Sequence, residues 1–145
     1  MMTNDTAPRL PVRKLAVPAE TTPPKVEDRR VWQVIHALQE KKVVAPVILD
    51  IGRLTSIADY FIIATGTSSR HVQALADEVE RQLGLLKTYP RHIEGYADGQ
   101  WVLMDYGDFI VHVFTPEQRD FYGLERLWSD AGKLVLQEGE SLPVM

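Results

Sequence analysis

The sequence predicts an α/β fold: a mixed β-sheet of about five strands with helices packed on it, in the order α-β-β-α-β-β-β-α. Three observations lead there. Tyr60-Phe61-Ile62-Ile63-Ala64-Thr65 is apolar on both faces, as a strand buried inside a sheet must be. Gly66 breaks that run, and a long helical period follows, from about Ser69 to Leu86. Residues 101–115 then alternate and turn at Gly107-Asp108, the pattern of a β-hairpin. A strand–helix–strand unit joined to a hairpin makes a mixed sheet with helices on it.

Taken in order, residues 1–27 hold Pro8, Pro11, Pro18, Pro23 and Pro24 and show no helical or strand period, so they are expected to form a disordered tail. The first helix is expected from Asp28, a good N-cap, because Val31, Val34, Ile35 and Leu38 recur at i, i+3, i+4, i+7. Lys41 and Lys42 suit the C-terminal end of its dipole. Residues 47–51 form an apolar strand with Pro46 at its start, where a missing N–H is tolerated. In the long helix Val72, Leu75, Ala76, Val79, Leu83 and Leu86 form the apolar stripe. A short strand is expected around His92 to Tyr96.

The hairpin register puts Val102, Met104, Tyr106, Phe109, Val111 and Val113 on one face. Trp101, Leu103, Asp105, Ile110, His112 and Phe114 share the other. A last helix starts at Thr115 as N-cap, with Pro116 at N1 and Gln118 completing a capping box. Phe121, Leu124, Leu127, Trp128 and Ala131 share its apolar arc, and Arg119 and Tyr122 lie on the opposite one. The domain is expected to span 28–136, and the end, 137–145, to fray.

The 145 residues fit one domain with a real core. There is no cysteine, which removes disulfides, thiolate nucleophiles and sulfur-bound zinc and fits a reducing cytoplasm. No apolar run approaches the roughly 18 residues that span a bilayer, and the N-terminus has the make-up of neither a signal nor a transit peptide. A cytoplasmic location is expected. The net charge of −4 is uneven: residues 98–145 carry −6 and residues 1–97 carry +2. A protein that grips phosphate backbones shows the opposite bias. Acids that merely keep the domain soluble explain the balance, and a basic partner surface would also suit it.

Few residues carry chemistry. Thr65-Gly66-Thr67-Ser68-Ser69-Arg70 joins a buried strand to a helix start, where an anion could sit, but the glycine–lysine spacing of a phosphate loop is missing. A tight turn with a serine cap accounts for it. Asp105 and Asp108 form the best carboxylate pair, yet their i, i+3 spacing across a turn gives no reason to converge on Mg²⁺. Turn preference alone explains Asp108. His36, His71, His92 and His112 lack zinc-site spacing. His112 reads by default as a satisfied, partly buried histidine, with a partner contact as the alternative. There is no serine elbow. The sequence therefore predicts no enzyme, no cofactor and no metal. Trp101 and Tyr122 are the aromatics hardest to place in a core, and such residues ringed by charge are typical interface anchors.

Four strings resemble one family: Ala58-Asp59-Tyr60-Phe61-Ile62-Ile63, Thr65 to Val72, Asp105 to Phe114, and Arg119-Asp120-Phe121-Tyr122-Gly123-Leu124-Glu125-Arg126-Leu127-Trp128. In this order they are similar to the ribosome-silencing factors (Iojap), over about residues 28–130. The resemblance implies a nucleotidyltransferase-like α/β fold without the catalytic acids. It implies binding to the large ribosomal subunit through large-subunit ribosomal protein fourteen, which stops the small subunit joining and represses translation under nutrient limitation. It also implies a homodimer. The docking surface is then expected on the hairpin and the outer arc of the last helix: Trp101, Asp105, Asp108, His112, Arg119 and Tyr122.

Overall fold

The computed structural model describes residues 24–137. Helix α1 (Arg29–Glu40) begins at Asp28, whose carboxylate accepts the Arg30 backbone N–H at 2.9 Å. Strands β1 (Val44–Asp50) and β2 (Tyr60–Thr65) follow, then helix α2 (Ser69–Leu85), capped by Ser68. Strands β3 (His92–Glu94), β4 (Trp101–Asp105) and β5 (Phe109–Phe114) come next, then helices α3 (Pro116–Tyr122) and α4 (Leu124–Leu127) and strand β6 (Gly132–Val135).

The six strands lie in the order β3-β4-β5-β2-β1-β6. The central pair β2 and β5 is parallel, and the other neighbours are antiparallel. That explains why β2 is apolar throughout: it has a strand on each side and a packed layer on each face. The β4–β5 register matches expectation, with Trp101 opposite Phe114 and Val102 opposite Val113.

Each sheet face has its own core. Helices α1 and α2 cover the first, where Val34, Leu38, Leu75, Val79 and Leu83 meet Ile48, Ile62, Val111 and Val113. The expected stripes are buried there as far as Leu83, as a 3.6-residue period of aliphatic side chains requires, while Leu86 lies just past the end of α2 and is exposed. On the second face Leu103, Ile110, Phe61, Ile63 and Phe114 lie beneath Trp128, Leu124 and the loop at 51–58.

Four other details differ from expectation. The sheet has a sixth strand, because residues 132–135 leave the last helix and pair antiparallel with β1. The last helix is broken at Gly123, which adopts φ +57°, a left-handed conformation that ends a helix and favours glycine. Phe121 is therefore turned outward, 68% exposed, and Leu127 is also exposed, while Leu124, Trp128 and Ala131 remain inside. Thr115 makes no capping-box bond, since its hydroxyl lies by the Gln100 side chain. Strand β1 starts earlier than Pro46, which sits in a bulge beside Ala45 at φ +50°.

The tail expected over 1–27 is corrected at its last residues. Val26 is buried in the first core, its carbonyl accepts the Trp32 indole N–H at 2.9 Å, and Pro24 lies against Gly132. A lone valine among prolines has no period, so the sequence could not reveal this anchor. The remainder of that tail, and all of the end expected to fray except Gln137, lie outside the described residues.

Candidate functional site

The second sheet face is covered unevenly. Over Phe61 of β2 it is closed by Trp128, whose ring meets Phe61 edge-on at 5.5 Å. Toward β4 the cover ends at α3, and a groove of about 360 Å³ opens there. Trp101 and Tyr122 form its aromatic wall, with Glu94, Asp98 and Gln118 around them. Glu94 reaches it because it pairs with Leu103, a residue of the second core.

Trp101 is half-buried and held from several sides. Its ring lies 4.8 Å from Phe114 and 4.6 Å from Tyr122. Its Nε1–H donates to His112 Nδ1 at 3.1 Å. Phe121 packs edge-on against Tyr122 at 5.0 Å, so three aromatics run outward in a row. The wall carries two carboxylates, from Glu94 and Asp98, and no lysine or arginine.

The six residues expected on the docking surface are thus divided. Trp101 and Tyr122 come together on the groove. His112 lies under Trp101 and is 0% exposed, so its expected direct contact with a partner is corrected: a central strand of a two-faced sheet leaves it no path to solvent. Burial pushes its pKa down to about 3, and the imidazole is neutral near pH 7.

Asp105 shares the sheet face but stands apart from the aromatics. Its Oδ1 accepts the Gly107 N–H at 2.8 Å, and His92 Nδ1 lies 3.7 Å from Oδ2. It shapes the hairpin turn, the role turn chemistry gives an aspartate two residues before a glycine. Asp108 points elsewhere and pairs with Arg30 at 2.8 Å, while Arg30 also holds Asp28 and lies over the Phe109 ring. The two carboxylates have different partners on different elements, and among the described residues no group of three or more acids or histidines has metal-binding geometry.

Arg119 is corrected as well. Its side chain is only 14% exposed and forms a bidentate pair with Glu125, at 3.0 and 3.1 Å. It also donates to Thr65 Oγ1 and to the carbonyl of Ala45, in the β1 bulge. Arg119 thereby ties α3 to the sheet, with four of its hydrogen bonds made inside the fold. The Thr67 to His71 turn is likewise engaged: the Thr67 N–H donates to His71 Nδ1 at 2.8 Å, His71 Nε2 meets the Lys41 carbonyl at 2.7 Å, and Ser68 caps the helix. Its free donors for a phosphate are correspondingly few.

Sequence reasoning missed Glu94, Asp98, Gln118 and Phe121. The first two carried a readable signal, being acids that shortly precede Trp101 in the sequence. Phe121 carried none, because its orientation depends on the break at Gly123.

An α/β domain with a preformed aromatic groove rimmed by acids has the make-up of a recognition module. The family model described as "Ribosomal silencing factor during starvation" matches residues 24–143. The chain belongs to that family. Ribosomal silencing factor RsfS of Halalkalibacterium halodurans is 38% identical over 103 residues, covering 71% of this chain and 88% of its own. Its counterpart in Chromobacterium violaceum is 43% identical over 94 residues, covering 65% of this chain and 77% of its own. A crystal structure of a Chromobacterium violaceum protein has a TM-score of 0.69 at 35% identity, covering 78% of this chain and 92% of that one.

Proposed function

We propose that this chain docks on the large ribosomal subunit through ribosomal protein fourteen, keeps the small subunit from joining, and so represses translation when nutrients are scarce. Family membership supports the ribosomal setting. The observation that carries the docking site is the groove: Trp101, Tyr122 and Phe121 stand partly open beside Glu94 and Asp98. Aromatic side chains give large contact area at low entropic cost, and carboxylates around them select a basic partner. A basic ribosomal protein surface has that complementary chemistry.

The mechanism needs steric exclusion and no catalysis. A rigid domain seated on the intersubunit face occupies space that the small subunit requires. The chain acts in the cytoplasm in this reading, and a homodimer is compatible with it. Co-sedimentation with purified subunits tests it: the protein should pellet with large and not small subunits, and added protein should lower formation of joined ribosomes. Pelleting with neither subunit, or unimpaired joining at saturation, contradicts it.

A further inference from the structure

Position 112 asks for an apolar residue. It lies in β5 between Leu103 of β4 and Ile63 of β2, and its ring packs on Phe61 at 4.6 Å and on Phe114. Among the described residues His112 Nε2 has no hydrogen-bond partner. A leucine would fill the place without burying an unpaired polar atom. What the imidazole adds is a single acceptor, Nδ1, and that acceptor takes the indole N–H of Trp101. The bond fixes the neutral tautomer with its proton on Nε2.

We infer that His112 is a positioning residue for the docking groove: from inside the core it locks the Trp101 indole in the orientation that the partner meets. This rests on the reading of the groove as the docking site. Phe114 and Tyr122 confine the indole by tilted ring contacts, which tolerate sliding and ring flips. The bond to Nδ1 is directional and selects one edge of the ring to face inward. Trp101 is then ordered before the partner arrives, and binding does not bear the entropy of ordering it.

Two substitutions separate this role from simple packing. His112→Asn places an amide oxygen near the position of Nδ1 and keeps the acceptor. His112→Leu keeps the packing and deletes the acceptor. The leucine variant should bind large subunits about two- to tenfold more weakly, the range expected for one side chain that must be ordered on binding, while the asparagine variant stays closer to wild type. In a Trp101→Phe background, which has no N–H, His112→Leu should cost nothing further. By nitrogen-15 NMR, the Trp101 indole N–H of the wild type should be protected from exchange, and the leucine variant should lose that protection.

Rapid exchange of the wild-type Trp101 indole N–H, or a leucine variant with unchanged Trp101 signal and binding, overturns the inference. The exchange measurement needs no substitution, so it stands even if a variant does not fold. If Trp101→Ala binds large subunits like wild type, the docking reading itself fails. If Trp101→Ala weakens binding and His112→Leu does not, only the positioning role fails.

Discussion

His112 and Glu78 are buried titratable side chains whose pKa values fold with the chain, and each makes stability depend on pH. His112 titrates at about 3 in the fold against 6.5 for an ordinary histidine, because burial disfavours its charged form. The unfolded chain therefore binds the proton first. The contribution is complete above pH 6.5 and is lost as pH falls toward 3. Glu78 is held down at about 2 by its hydrogen bonds from Arg81 and Gln82, against 4.5 ordinarily. Its contribution is present above 4.5 and is lost below it. Urea midpoints measured against pH should thus show a shallower slope for His112→Asn than for wild type between pH 6.5 and 4.5. Glu78→Gln should flatten only the part below 4.5. Parallel slopes for wild type and both variants would contradict these assignments. At this scale the sequence was partly legible. Trp101 and Tyr122 stood out because no core role suited them. The inward role of Arg119 was not legible, because its partners Ala45 and Thr65 are 74 and 54 residues away and no local pattern joins them.

The elements that announced themselves are those whose own period decides their seat. Helices α1 and α2 carry long aliphatic stripes, and strands β2, β4 and β5 alternate or are apolar throughout, so neighbours need not be known. Leu83 is the last buried residue of the α2 stripe and is fully buried. Leu83→Ala should cost about 2–5 kcal/mol by chemical denaturation. A variant as stable as wild type would mean that the stripe does not pack on the sheet. The last third was less legible because its period is interrupted. A continuous helix through Gly123 would bury Phe121, and the left-handed glycine instead starts α4 on a new axis. Gly123→Ala should destabilise by about 1–2 kcal/mol, the cost of a left-handed non-glycine residue, and its added carbon would also meet the Arg126 guanidinium. An unchanged midpoint would show that the break does not need glycine. Strand β6 was invisible for another reason: four residues with one buried edge make no pattern until β1 is beside them.

For the whole molecule, the fold begins upstream of α1. Val26 fills the first core and Pro24 lies on Gly132 at the β6 edge, so residues 24–27 belong to the folded unit. A chain starting at Asp28 should be less stable than one starting at Pro24 by roughly 1.5–3 kcal/mol, the value of burying one valine, read from urea midpoints. Equal midpoints would return those residues to the tail. At the β4 side of the second face a groove opens, and there Trp101 meets Tyr122 beside Glu94 and Asp98. That the open groove is what holds the chain to the large ribosomal subunit is the central claim. The most direct measurement is the affinity of Trp101→Ala and Tyr122→Ala for purified large subunits, by quantitative pelleting, with circular dichroism to confirm the fold. Each should bind about 1–3 kcal/mol more weakly than wild type while keeping its fold. Folded variants that pellet and block subunit joining as wild type does would contradict the account.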